Sequence, residues 1–214
     1  CTLAYEAASV AQARGPGHCP HSTLGTIPTK AGILNKMTKR CTWCGDDPLY
    51  VAYHDEEWGV PVYDDHTLFE FLILEGAQAG LAWITILRKR EGYRALFDNF
   101  EVQKIARYSD KKLEQLLLDP RIIRNRLKVF GARKNARAFL EVQKEYGSFS
   151  AYLWDFVDGE TVQNSPKSMG DVAATSPVSD KLAKDLKQRS FTFVGSTIMY
   201  AHMQATGMVN DHTV

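Results

Sequence analysis

The chain has 214 residues, 44% of them hydrophobic, and carries 26 Lys and Arg against 25 Asp and Glu, a net charge of +1. That is enough apolar material for an ordinary core, in one domain or two small packed lobes, while the balanced charge rules out nucleic-acid binding through bulk charge and leaves only a local patch. No stretch approaches the roughly 18 uncharged apolar residues of a membrane span, and the N-terminus lacks the charged-then-apolar order of a secretory signal, so the expected protein is soluble, globular and cytoplasmic.

Residues 1–36 have weak periodicity and carry Gly15-Pro16-Gly17, Pro20 and Pro28, a composition that builds no core. They are expected to be a disordered or non-native leader, with Met37 the natural start. The chain opens on Cys1 and stops at Val214 directly after Asn210-Asp211-His212-Thr213, which predicts a fragment, its domain over 37–214 truncated at the C-terminus. The four cysteines, Cys1, Cys19, Cys41 and Cys44, all fall in the first fifth of the chain, which argues against disulfide stapling of the fold. From Cys41 to Gly59 two thiols, His54, several acidic residues and the rings of Trp43, Tyr50, Tyr53 and Trp58 share one stretch, the makings of a site for a soft metal, a flat aromatic guest, or both.

From Asp64 onward the pattern is helical. Asp64 or Asp65 can cap a helix whose apolar face, Leu68, Phe69, Leu72 and Ile73, ends near Gly76. Further helices are predicted over 83–97, 111–118, 126–146 and 150–156, with Gly and Pro breaks between them. The stretch 160–177 is polar and turn-rich, Ser179 is expected to cap a helix running to about Gln188, and the last helix covers 197–206. No alternating strand pattern and no repeat of fixed period is visible, so the fold class is all-α.

Glu75 follows Phe71-Leu72-Ile73-Leu74, with apolar neighbours on both faces, which places its carboxylate in a pocket wall where a lone charge is costly unless paired. The plainer alternative is a helix-end glutamate reaching solvent or a backbone amide. The small residues that follow, Gly76 to Ala82, let another backbone approach and present Leu81 and Trp83 beside Glu75. An indole next to a carboxylate suits a flat, positively charged guest, although Trp83 by itself is equally explained by core packing.

Near the C-terminus a helix ending near Arg189 meets Phe191-Thr192-Phe193-Val194-Gly195-Ser196-Thr197, after which a new helix begins. Helix, tight glycine turn, helix holds a phosphodiester on outward-pointing amides without reading sequence, and Lys187 and Arg189 add charge. The same pattern also serves as a simple turn in which Phe193 and Val194 staple two helices. Cys41-x-x-Cys44 with His54 is a zinc pattern short of four ligands. His212, from the far end of the chain, would join it as a structural clip, with Asp55 or Asp211 orienting an imidazole. The spacing around His54 lacks the two-histidine motif of a metalloprotease, and His18, Cys19 and His21 are expected to be incidental.

The blocks Arg40 to Trp43, Asp47 to Pro61, Leu74 to Trp83, Ile122 to Arg126, Phe193 to Thr197 and Val209 to His212 together closely resemble the DNA-3-methyladenine glycosylase I family over about 40–214. The resemblance implies an all-α DNA glycosylase of the helix-hairpin-helix superfamily, a helical bundle with a zinc-clipped lobe joining N- and C-terminal segments. It implies an enzyme of base-excision repair that hydrolyses the N-glycosidic bond of 3-methyladenine in alkylated double-stranded DNA without strand cleavage, acting as a monomer away from membranes. By position, Glu75 and Tyr53 would hydrogen-bond the flipped base and carry catalysis, with Trp83 stacking on it and Tyr50 nearby. Gly80 and Leu81 would fill the space left in the duplex, and Val194, Gly195, Ser196 and Thr197 would hold the phosphates. Structural Zn2+ would sit on Cys41, His54 and His212; the family's fourth ligand is a cysteine a few residues past that histidine, and Cys44 is the alternative within this chain.

Methylation at N3 makes adenine cationic on its sugar and weakens the glycosidic bond, so binding and orientation suffice and Glu75 would favour the cation over neutral adenine. Asp211 is the rival general base. No lysine stands in the blocks around Glu75 and Trp83 to act as a lyase nucleophile. Two other readings stay open: a zinc-stabilised DNA-binding module without catalysis, resting on the hairpin and the basic stretch 124–128, and a glycosylase for another alkylated base.

Overall fold

The computed structural model describes residues 40–213, so the leader expected over 1–36, with His18, Cys19 and His21, lies outside the described residues, as does Val214. Helix α1 (Pro48–Glu56) starts on Pro48 with Asp47 capping the amides of Leu49 and Tyr50, and α2 (Asp65–Gln78) starts on an Asp64 cap to Thr67. Short helices α3 (Trp83–Leu87), α4 (Arg90–Leu96), α5 (Val102–Ile105) and α6 (Asp110–Leu116) lead to the long α7 (Arg126–Tyr146) and then to α8 (Phe149–Trp154). After a loop come α9 (Pro177–Gln188) and α10 (Ser196–Ala205). No helix among the described residues is long and apolar enough to cross a membrane.

Helix α2 is the centre of the fold. Every residue from Leu68 to Ala77 is buried, the all-round apolar pattern of a helix enclosed by others, and α3, α7, α8 and α10 pack against it. The amphipathic α7 buries Val129, Ala132, Ala136, Phe139 and Val142 on one side, with the Phe139 ring stacked 4.1 Å from Phe149. Glu70, polar and buried on α2, is matched by Arg90 at 2.5 Å and Arg94 at 2.8 Å; Arg90 also reaches Glu57 at 2.6 Å, which ties α1, α2 and α4 together. Asp65 accepts from the amides of Phe149 and Ser150 at 2.8 and 2.7 Å, so the first turn of α2 caps α8 from outside.

The turn between α9 and α10 is held in place by glycines on other helices. Phe193 adopts φ 58° and its side chain enters a slot between α2 and α7. A Cβ at Gly76 would stand 3.1 Å from that of Phe193, and one at Gly131 would stand 2.9 Å from Thr192 Oγ1 and 3.3 Å from the Phe193 ring. Asn135 of α7 closes the contact by bonding the backbone of Thr192 in both directions, at 2.8 and 3.0 Å.

Several elements differ from the sequence-based expectation. The helix expected over 83–97 is two helices, because Arg88, Lys89 and Arg90 go to three separate partners, Asp47, the Pro120 carbonyl, and Glu70 with Glu57. Ser179 does not cap α9; Ser176 does, and Ser179 closes a reciprocal capping box with it. The stretch 48–56, read only for its chemistry, is a helix. A two-stranded parallel pair, β1 (Val162–Gln163) and β2 (Val209–Asn210), was invisible because two residues cannot display a period.

His202 on α10 is fully buried, and neither ring nitrogen has a partner among the described residues. Burial pushes its pKa down from 6.5 to about 4. Below pH 6.5 the unfolded chain takes up a proton that the folded chain refuses, so stability present above 6.5 is lost as pH falls towards 4, by up to about 3 kcal/mol. His202→Phe should remove that loss, and denaturant unfolding at pH 7 and pH 4.5 checks it: equal pH dependence in both proteins contradicts the assignment.

Candidate active site

A cavity of about 250 Å³ opens beside the C-terminal turn of α2. Four sides build it. The N-terminal turn and α1 supply Trp43, Tyr50, Tyr53 and Trp58; α2 and α3 supply Glu75, Gln78 and Trp83; α10 supplies Thr197, Tyr200, Ala201 and Gln204; the loop before α9 supplies Met169 and Val172 to Ala174. The volume is close to the lower end of small-molecule pockets, roughly 300 Å³, which suits one flat ring system. Tyr53 and Trp83 face each other with ring centroids 5.5 Å apart, and Trp43 lies 4.9 Å from Tyr50 and 5.0 Å from Trp58.

Glu75 is 3% exposed, and its Oε2 has no hydrogen-bond partner among the described residues. The indole N–H of Trp83 is buried and unpartnered as well. Desolvation alone raises the Glu75 pKa from 4.5 to about 8, so the carboxyl is mostly neutral at pH 7. Burial, with Glu75 as a further contributor, likewise lifts the Tyr53 hydroxyl well above its usual range, and burial raises Tyr50. An unsatisfied acid, an unsatisfied indole and several clustered rings in one cavity make a receptor for a flat guest with donor or cationic character.

Gly80 and Leu81 stand at the mouth of an adjoining recess that shares Glu75, Gln78, Thr197 and Ala201 with the cavity. Gly80 takes φ 81°, which turns the chain sharply away from α2 and leaves Leu81 41% exposed. Across the recess Gly195 is the N-cap of α10 and supplies no side-chain cap, so the first-turn amides lack a side-chain acceptor. Val194 is buried and packs in the core, while the Ser196 hydroxyl bonds Ser179 at 2.9 Å and Asp180 at 2.5 Å. Val194 therefore anchors the turn, and Gly195, Ser196 and Thr197 form its outward edge.

Cys41, His54 and His212 come from the two ends of the described chain and meet in one place. The Cys41 amide donates to His54 Nε2 at 3.2 Å, the rings of His54 and His212 lie 5.0 Å apart, and the Thr213 amide is 3.5 Å from Cys41 Sγ. His54 Nδ1 bonds Asp55, itself clamped by Arg40, and His212 Nδ1 bonds Asn210. Soft donors are thus assembled, with both His54 nitrogens occupied by protein partners, and among the described residues no group of three or more His, Cys, Asp or Glu forms a metal-holding arrangement. Cys44 donates its thiol to the Cys41 carbonyl at 3.1 Å.

Asp211, a rival base in sequence terms, is buried and accepts from Tyr200, Gln204 and Asn164 at 2.8, 2.7 and 2.7 Å. It lies behind the cavity wall and fixes two residues of that wall. Trp43 and Trp58 were visible as rings but had no assigned role; Tyr200 and Gln204 fall at i+3 and i+7 from Thr197, a helical face the sequence displays. Nothing in the polar stretch 160–177 signalled that Met169 and Val172 to Ala174 would close one side.

This helical scaffold is shared with solved DNA glycosylases. It matches a crystal structure of 3-methyladenine DNA glycosylase I at TM-score 0.81 and 49% identity, covering 82% of this chain and 97% of that one. The Staphylococcus aureus enzyme, whose structure concerns 3-methyladenine recognition, matches at TM-score 0.79 and 35% identity over 81% of this chain and 93% of its own. DNA-3-methyladenine glycosylase 1 of Escherichia coli K12 is 46% identical over 176 residues, 82% of this chain and 94% of that protein. The Haemophilus influenzae DNA-3-methyladenine glycosylase is 43% identical over 82% and 95% of the two chains. The sequence model described as methyladenine glycosylase matches residues 43–214, and the chain belongs to that family.

Because the Glu75 pKa is raised on folding, both states are neutral below pH 4.5, and above it the unfolded chain ionises first, so stability is lost as pH rises to about 8. Glu75→Gln should therefore gain stability on the parent by about 3–5 kcal/mol between pH 4.5 and 8. Urea midpoints of both proteins at the two pH values check this; a constant difference would mean that the carboxyl is not desolvated.

Proposed function

We propose that this protein is a DNA glycosylase that excises 3-methyladenine from alkylated double-stranded DNA by hydrolysing its N-glycosidic bond. The observation that carries the reading is the buried, unpartnered Glu75 oxygen beside the unpartnered Trp83 indole on the wall of an aromatic cavity. A structural core has no use for that pair, and a module that only grips phosphates has none either. The family relationship supports the same substrate.

The lesion swings out of the duplex into the cavity, at a cost of a few kcal/mol that is lowest for a damaged pair. Gly195, Ser196 and Thr197 hold the backbone, Leu81 fills the space vacated, and the base stacks on Trp83 within reach of Tyr53 and Tyr50. The purine arrives as a cation. Its charge draws the proton from Glu75 to solvent, and the resulting ion pair is strong in a site from which water is excluded. Neutral adenine offers nothing to drive that ionisation, so the undamaged base is refused. When the bond from C1′ to N9 breaks, its electron pair neutralises the purine; a water oxygen bonds C1′ and its surplus proton leaves to solvent. Glu75 then faces a neutral product, regains a proton and lets the base go. No lysine lines the cavity among the described residues, which supports base release without strand cleavage.

A structural zinc belongs to the same proposal. Cys41, His54 and His212 would hold it, His54 exchanging its bond from the Cys41 amide for the metal, and the ion would supply only a cross-link between the two ends of the domain. Metal analysis of protein purified without chelator should find zinc, and a chelator or His212→Ala should lower Tm; a metal-free protein with the same Tm as both overturns it.

DNA treated with N-methyl-N-nitrosourea, incubated with the protein and analysed by chromatography, should yield free 3-methyladenine with the strands intact, at least tenfold less with Glu75→Gln. Release of no base by the folded protein overturns the assignment.

A further inference from the structure

We infer that Lys128 is a positioning residue for excision from duplex DNA, acting by holding the loop that presents Gly80 and Leu81; this rests on the glycosylase reading above. The last carbonyls of α2 have no helical partners, and the final turn of α2 contains no basic residue of its own. Leu81 turns back to give its amide to Gln78 at 2.6 Å. The carbonyls of Ala77 and Ala79 are taken by the Lys128 ammonium, at 2.7 and 2.8 Å. Lys128 rises from the first turn of α7, where the Asn125 cap accepts from its amide at 3.1 Å, so the clamp is rooted in the longest helix.

No other side chain among the described residues bonds the backbone of 77–82. Gly80 has φ 81° and a Cβ built there would meet no atom within 4 Å, so nothing packs against the loop at its turn to fix its direction. An ammonium at the negative end of α2 also neutralises the helix dipole one turn from Glu75. Burial lowers the Lys128 pKa, the mark of a charge withdrawn from water towards these carbonyls. Lys128 further lines the small gap that contains Gly76, Gly131 and Phe193, so it stands where the pocket helix, the loop and the hairpin meet. Losing the clamp leaves the cavity intact and lets Leu81 wander, which matters for a duplex, where the vacated space must be filled, and not for a single strand.

The test compares single-turnover release of 3-methyladenine from alkylated duplex and from the same DNA made single-stranded. Lys128→Met should slow duplex excision roughly ten- to a hundredfold, leave single-strand excision within about twofold, and add nothing in a Leu81→Ala background, as expected of residues acting as one unit. Lys128→Arg should restore most of the duplex rate. Should Lys128→Met fail to fold by circular dichroism, Lys128→Gln takes its place. Equal losses on both substrates, additive losses with Leu81→Ala, or a salt slope of DNA binding reduced by about one, which marks a direct phosphate contact, each overturn the inference. A parent protein that releases no 3-methyladenine from either substrate overturns the glycosylase reading and this inference with it.

Discussion

The placement of one unpartnered carboxyl inside a buried helix governs this structure. Glu75 lies in the last buried turn of α2, a helix that the rest of the fold encloses, and it has no ion partner there. Glu70, five residues earlier on the same helix, is equally buried and is matched by Arg90 and Arg94. Two glutamates on one helix therefore meet opposite treatment. Glu70 is neutralised within the protein and fastens α1, α2 and α4, whereas Glu75 waits for its counter-charge to come from outside. The stability lost at Glu75 is tolerable because the network at Glu70 and the enclosure of α2 hold the backbone around it.

The remaining walls follow from that need for a dry but reachable carboxyl. Trp43, Tyr53 and Trp83 exclude water laterally, and the loop carrying Met169 closes another side. Asp211 steadies Tyr200 and Gln204 from behind while staying outside the cavity itself. The end of α2 has to do two things within seven residues: keep Glu75 dry and turn Leu81 outwards. Gly80 supplies the turn and Lys128 supplies the partners for carbonyls that the turn exposes.

The long elements were legible because their signals are local. Helix α7 runs over the residues its amphipathic pattern marks, and α2 begins at the expected aspartates. Glu75 and Trp83 were readable as a pair because apolar neighbours and small residues flank them in sequence, whereas Tyr53 and Tyr50 joined them only through the family resemblance; the structure brings all four to one cavity. What escaped depends on distant partners. The break at Arg88 to Arg90 is set by Asp47, Glu57 and Glu70, and the pairing of Val162 with Val209 joins two-residue segments too short for any pattern. The role of Lys128 was hidden in a basic stretch that read as a candidate DNA contact, since its acceptors lie some fifty residues earlier.

Phe193 between Gly76 and Gly131 has a consequence for measurement along DNA. The hairpin is seated through one ring, Phe193, which approaches α2 at Gly76 and α7 at Gly131, and that seating fixes its distance from the helix that carries Glu75. In the proposed reaction that arrangement is a ruler: it would set how far an extruded nucleotide must reach from its own backbone before its base meets the carboxyl. Side chains at either glycine would push the hairpin off its seat without altering any group that lines the cavity, so the proposed reach is calibrated in this chain by two residues that have no side chain at all.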